Sequence, residues 1–157
     1  MRNPLGLARA LALLVPAAAL AGAYGSQYLG GLIPCEMCWW QRYAHMAALA
    51  LAVPAFLVRE RAMVWLAALA IAVSGAIGFY HAGVELHYFP GFTECTATVT
   101  GGSTEEFLKA IMRAPMVRCD DVQWSFLGIS MAGWNAILSL GSALVILWLS
   151  LRRPRTT

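Results

Sequence analysis

The sequence predicts an all-α membrane protein: a four-transmembrane-helix bundle with a short interfacial amphipathic helix in its second outer loop. Three observations lead there. The 157 residues are 60% hydrophobic and only 12% charged, with a mean hydropathy of +0.65, too little charge to keep a water-soluble domain of this size dispersed. The apolar residues gather into four stretches of about 20, the length a helix needs to cross a bilayer core. The basic residues gather between and beyond those stretches, on alternating sides.

The first stretch is about Ala10–Tyr28. Arg2, Arg9 and the small residues Ala21-Gly22-Ala23 give it some likeness to a cleaved signal peptide, but no polar mature start follows, so a retained span is expected. The second runs about Trp40–Val58, after a first outer loop over about 29–39. The third runs about Ala62–Tyr80. Pro16 and Pro54 are compatible with spanning helices, because neighbouring helices satisfy the backbone groups they free. The segment 81–125 is too small to be an independent domain, so the chain reads as one domain over 1–157. Within that segment Ser103-Thr104-Glu105-Glu106 reads as a capping box. Phe107, Leu108, Ile111 and Met112 follow at helical spacing, with Lys109 and Arg113 opposite and Pro115 as the stop. Such a helix would lie in the membrane interface. The fourth stretch runs about Phe126–Leu149.

Arg2, Arg9, Arg59, Arg61, Arg152, Arg153 and Arg155, seven of the eleven basic residues, fall on one side. By the positive-inside rule that side is cytoplasmic, together with both termini. The opposite side carries Glu36, Glu85, Glu94, Glu105, Glu106, Asp120 and Asp121. The net charge of +3 therefore reflects topology, and no nucleic-acid partner is expected. All four cysteines fall in the two outer loops, in a compartment where disulfides persist.

Cys35-Glu36-Met37-Cys38 stands where the first loop meets the second span, with Pro34 fixing the entry. A helix N-terminus favours a thiolate through its dipole and unpaired N–H groups, and C-x-x-C spacing lets two sulfurs close a small ring and exchange electrons with a partner. The same spacing also suits a static disulfide or two buried thiols. Four outward cysteines could hold zinc, but Cys95 and Cys119 lie too far apart for a second ligand pair. Their spacing suits a loop-closing disulfide better, and no metal is expected. Arg42 lies one turn beyond Cys38 on the same helix face. A charge within a span points to function, although from this depth it could also reach the headgroups. With the dithiol it suggests an electron acceptor held in the bilayer, whose developing negative oxygen a guanidinium would stabilise.

Cys35-x-x-Cys38-x-x-x-Arg42 at the head of the second span resembles the DsbB family of disulfide-bond formation proteins. So does Cys119-Asp120-Asp121-Val122-Gln123-Trp124-Ser125-Phe126-Leu127-Gly128, leading through Met131 to Trp134. The likeness covers nearly the whole chain and includes a DsbI-like subgroup that serves a dedicated partner. It implies a bacterial inner-membrane enzyme with periplasmic cysteine loops. That enzyme reoxidises a DsbA-like thioredoxin-fold oxidase and passes the electrons to ubiquinone or menaquinone. By position, Cys95 would be attacked by the partner's thiol, with Cys119 as its pair, and Cys35 would exchange with that pair. Cys38 would face the quinone, Arg42 would polarise its carbonyl, and Met131, His81 and Gln41 would lie at the quinone site. Family members often carry glutamate where this chain has Gln41, and the inner pair Glu36-Met37 is unusual. The energetics agree: DsbA sits near about −120 mV, so a quinone must supply the driving force. Two other readings share some features: a vitamin K epoxide reductase-like thiol oxidase, whose quinone-facing pair comes late in the chain, and a non-enzymatic membrane subunit with structural or metal-binding cysteines.

Overall fold

The computed structural model describes residues 3–58, 60–91, 103, 105 and 117–152. Among these, four helices account for most of the chain: α1 (Pro4–Tyr28), α2 (Glu36–Leu57), α3 (Arg61–Glu85) and α4 (Met131–Leu151). Three of them, α1, α3 and α4, are long and apolar enough to cross a membrane. The 22-residue α2 is as long, at about 33 Å, but it carries Glu36, Gln41, Arg42 and His45.

Local chemistry sets the helix ends. Asn3 caps α1 by accepting from the Leu5 N–H at 3.1 Å, with Pro4 in the first turn, where its missing N–H costs nothing. Cys35 caps α2, its sulfur accepting from the Cys38 N–H at 3.4 Å. Ser130 caps α4 through the Gly133 N–H at 3.1 Å. Pro16 and Pro54 both lie inside helices.

Two differences from the sequence expectation concern the ends of the apolar runs. The helix expected to begin near Phe126 begins at Met131. Ser125–Phe126 (β1) instead pairs antiparallel with Ile129–Ser130 (β2) across Leu127-Gly128. Both turn residues have positive φ, +53° and +76°, which is the two-residue hairpin geometry that glycine makes accessible. An unbroken apolar string hides such a turn. At the other end of the membrane, α3 runs past Tyr80 to Glu85, because His81 and Glu85 turn inward and are solvated by the bundle. The expected amphipathic helix after Ser103 and the residue Cys95 lie outside the described residues.

The bundle is built with small side chains inside and large ones outside. Ala8, Ala12, Ala48, Ala52, Ala55, Ala67, Ala68 and Ala143 are buried with Val64, Ile71 and Ile146. Leu14, Val53, Phe56, Leu69, Phe79, Leu138, Leu144 and Trp148 are exposed. That is how helices associate in lipid, where tails are as apolar as leucine and close backbone approach supplies the attraction. The seam between α3 and α4 is the tightest. A Cβ on Gly75 would come within 2.8 Å of the Leu140 Cγ, and one on Gly78 within 2.9 Å of the Ala132 carbonyl oxygen.

The seam predicts that Gly78→Val lowers detergent-solubilised stability by about 1–3 kcal/mol, the usual cost of overpacking. Gly141→Val, where nothing lies within 4 Å, carries the same change in helix propensity without the clash and should stay near wild type. Equal unfolding temperatures for the two variants would show that the close approach is not limiting.

Candidate functional site: a dithiol at the mouth of a bundle cavity

The first turn of α2 brings two sulfurs together. Cys35 is 2% exposed, and its Sγ lies 3.0 Å from that of Cys38. Both thiols are free, as is Cys119. Cys119 is also buried and shares a cluster with Cys35, Met37 and Val84, its side chain in hydrogen-bond contact with Cys35. One sulfur of the second loop therefore meets the buried sulfur of the first, and Cys38 is left toward the bundle.

Arg42 is 6% exposed and turns inward toward α1. Its guanidinium donates to the Gln27 side-chain oxygen and, at 3.0 Å, to the Ala23 carbonyl. The rings of Tyr24 and Trp39 lie 4.8 and 4.9 Å from its central carbon. It is thus held by α1 and two aromatic faces rather than extended to headgroups. Burial of this kind is affordable to a cation only with such partners.

His81 and Gln41 complete the dithiol's surroundings, and their hydrogen bonds fix the histidine tautomer. The Gln41 Nε2 donates to the Met37 carbonyl at 3.1 Å. A carbonyl can only accept, so the amide nitrogen must face that way. Its second hydrogen points to the His81 Nδ1, 3.0 Å away. That nitrogen therefore accepts, and the ring's proton sits on Nε2. Nε2 lies 3.6 Å from the Cys35 Sγ and 3.8 Å from a Glu85 carboxylate oxygen. His81 thus donates to the Cys35 sulfur, which favours its thiolate. The ligand atoms of Cys35, Cys38 and His81 all lie within 4.8 Å of one another, so this set could hold a soft metal ion. The metal would have to displace the Nε2 proton.

Below the dithiol opens a cavity of about 790 Å³ between α1, α2 and α4. Its walls include Cys35, Cys38, Gln41, Arg42, His45, His81 and Glu85, with Met131, Asn135 and Ser139 from α4, and otherwise mainly apolar side chains of α1. Met131 reaches α1, its sulfur accepting from the Ser26 hydroxyl at 3.9 Å. Every described residue that the sequence nominated therefore lies at the dithiol or on this one cavity. Cys95 lies outside the described residues.

The two loops are tied together beside the sulfurs. Gln123 makes a two-point clamp on the first loop, its Oε1 accepting from the Ile33 N–H at 3.2 Å and its Nε2 donating to the Ile33 carbonyl at 2.8 Å. Next to Cys119, Arg118 forms an exposed ion pair with Asp120 at 2.5 Å. Arg118's hydrogen bond holds the Asp120 carboxyl below the usual carboxylate range, a surface interaction of small energetic weight.

The family model "Disulfide bond formation protein DsbB" matches residues 6–149. The chain belongs to the DsbB family. Among its curated relatives, Disulfide bond formation protein B of Paracidovorax citrulli is 34% identical, over 94% of this chain and 89% of its own length. The protein of the same name from Marinobacter nauticus is 29% identical, over 91% and 90%. That from Azoarcus sp. is 31% identical, over 85% and 84%. No solved structure matches the chain significantly. It is a membrane disulfide-bond formation protein, an oxidoreductase whose family works on disulfides.

For a DsbB-family chain the sequence reading left several residues unmarked: Gln27 and Ala23 as partners of Arg42, Gln123 as the clamp, and His45, Ser74, Asn135 and Ser139 on or beside the cavity. The signal for the last group was present. His45 stands four residues after Gln41, on the same helix face and inside an apolar run, where an ionisable group is functional by default. The clamp gives a prediction. With Cys38 and Cys95 replaced by serine, Gln123→Ala should slow oxidative closure of a Cys35–Cys119 disulfide about three- to tenfold, the effect of two hydrogen bonds partly replaced by water. An unchanged rate, read by thiol alkylation, would show that the loops are aligned by other contacts.

Proposed function

We propose that this chain is a thiol–quinone oxidoreductase that reoxidises a periplasmic DsbA-like dithiol protein and reduces a membrane quinone, ubiquinone or menaquinone. In this reading it is a single domain in the bacterial inner membrane, with both termini cytoplasmic. The helix α2 is a fourth span whose polar residues are solvated by the bundle, and an interfacial helix follows Ser103. The observation that carries the reading is the split environment of the first pair: Cys35 meets Cys119 of the second loop, whereas Cys38 and Arg42 stand on the wall of the intramembrane cavity.

The chemistry follows in balanced steps. A partner thiolate attacks Cys95 of a Cys95–Cys119 disulfide and releases Cys119. The partner's second thiolate then resolves the mixed disulfide, leaving the partner oxidised and Cys95 and Cys119 reduced. Cys119 attacks Cys35 of the Cys35–Cys38 disulfide and expels Cys38 as a thiolate. Cys95 closes back onto Cys119 and frees Cys35. The electron pair has then moved from partner to first pair, and the disulfide of the second pair is restored. The quinone supplies a two-electron, two-proton acceptor. On the protein side, the Cys38 thiolate delivers the electron pair, Cys35 closes the disulfide behind it, and the two thiol protons balance the reduction. Arg42 stabilises negative charge where it develops on the acceptor's oxygen. The His81 Nε2–H favours Cys35 as the thiolate that closes the ring. The cavity fits such an acceptor, being largely apolar with its few polar groups at the dithiol end, as ring-binding sites generally are.

The test is quinone loss by absorbance with the purified protein and a reduced DsbA-type partner. Cys38→Ser should abolish quinone reduction while Cys95 still forms a mixed disulfide with the partner. Quinone-dependent turnover surviving in that variant would refute the electron path. Arg42→His should raise the apparent KM for quinone about tenfold or more, the value of a charge-assisted hydrogen bond, with the KM for the partner little changed. An unaltered quinone KM would remove Arg42 from the site.

A further inference from the structure

His45 is buried at 3% exposure in the middle of α2 and lines the cavity. Its Nδ1 is buried and has no hydrogen-bond partner. The protonation of that atom can be read outward from two main-chain carbonyls. The Met37 carbonyl fixes the Gln41 nitrogen, so the Gln41 Oε1 faces α4 and accepts from the Asn135 Nδ2 at 2.8 Å. The same Asn135 nitrogen donates to the Ser74 carbonyl at 3.2 Å, which can only accept, so the orientation of this amide is fixed as well. The Asn135 Oδ1 must then be the atom that meets the Ser139 hydroxyl at 2.9 Å and the His45 Nε2 at 3.0 Å. An amide oxygen accepts, so the His45 Nε2 carries the proton. The Nδ1 is left as a bare lone pair at a largely apolar cavity.

A bare lone pair in such a place is selective. Left unpaired it costs free energy, and only a ligand that brings an O–H or N–H relieves it. The oxidised ring of a quinone offers carbonyl acceptors alone, whereas its two-electron-reduced form carries two hydroxyls. His45 lies three residues beyond Arg42 on the same helix face, and its side chain leans back toward the helix N-terminus and the dithiol. One helix thus presents a cation for an oxygen bearing negative charge and, next to it, an acceptor for an oxygen bearing hydrogen.

We propose that the His45 Nδ1 accepts a hydrogen bond from a ring hydroxyl of the hydroquinone, so that the cavity tells reduced from oxidised acceptor by one bond and His45 sets how long the product stays. The inference rests on the reading of this cavity as the quinone site.

The experiment measures equilibrium binding of decylubiquinone and, without oxygen, of decylubiquinol to the fully oxidised protein in detergent, by quenching of tryptophan fluorescence. His45→Leu should weaken quinol binding about tenfold, one buried hydrogen bond, and leave quinone binding within about twofold. His45→Gln, which can donate to Asn135 and still offer an acceptor, should regain most of the loss. The dimethyl ether of the quinol keeps the ring but lacks O–H, and should bind the unaltered protein about tenfold more weakly than the quinol. That comparison stands even if a variant fails to fold. Equal losses for quinone and quinol in His45→Leu, or an ether that binds as well as the quinol, would overturn the role of His45 while leaving the quinone site in place. Failure of the unaltered protein to bind either ring would overturn the quinone-site reading itself and this inference with it.

Discussion

The carboxamide of Gln41 is the point from which the buried polar centre is ordered. In an apolar bundle each N–H and C=O that lacks a partner costs on the order of 1–3 kcal/mol, and Gln41 leaves none of its groups idle. It gives one hydrogen to its own helix at Met37, another to His81 on α3, and takes one from Asn135 on α4. Ser74 reinforces the junction by donating to the Gln41 carbonyl at 3.0 Å. Three helices are thereby locked in register at the level of the dithiol. Because the chain of bonds starts at carbonyls that can only accept, every later donor and acceptor is determined. The network therefore sets protonation as well as position: a proton at His81 facing Cys35, and a lone pair at His45 facing the cavity.

The same junction explains why small residues matter so far from the sulfurs. Gly78 lets α4 approach until the Asn135 Nδ2 would lie 3.0 Å from a Cβ placed there. A bulkier seam would push Asn135 away from Gln41 and Ser74, and the tautomer of His45 would lose its anchor. Packing on the α3–α4 side and hydrogen bonding at the centre are thus one constraint. The opposite side of α2 faces α1 across the cavity, where Arg42 spans the gap to Ala23 and Gln27. The bundle is tight where it must order polar groups and open where a ring could enter.

Much of this was legible in the sequence, and the reasons are physical. Length and hydropathy reveal apolar helices because a helix must hide every backbone polar group from lipid. Cys35, Cys38 and Arg42 could be placed on one helical face because helical spacing alone decides it. The hairpin at 125–130 was hidden because Phe126-Leu127-Gly128-Ile129 is apolar, and hydropathy does not distinguish a turn from a span's first residues. The polar network was hidden for a different reason. Its partners are separated by 40 to 94 residues along the chain, and a lone serine or asparagine in an apolar run carries no mark of what it will face. Gln123 lay within a recognised motif, yet its clamp on the main chain of Ile33 depends on two loops meeting, which no local pattern encodes.

The substitution that separates this chain from many of its family, glutamine where glutamate is common, acquires a physical meaning from that network. A carboxylate at position 41 could not donate to the Met37 carbonyl or to the His81 Nδ1. Facing a carboxylate, the His81 Nδ1 would instead carry the proton and the Nε2 would turn a lone pair toward Cys35. His81 would then act on Cys35 as a base that takes a proton from the thiol. With Gln41 it is a donor that steadies a thiolate already formed. The neutral amide also leaves Arg42 without an adjacent anion, so its charge remains available to the cavity rather than being spent on a neighbour. One residue change therefore reverses the hydrogen bond at one sulfur and strengthens the field at the other, which makes Gln41 a determinant of how the two thiols of the C-x-x-C pair differ.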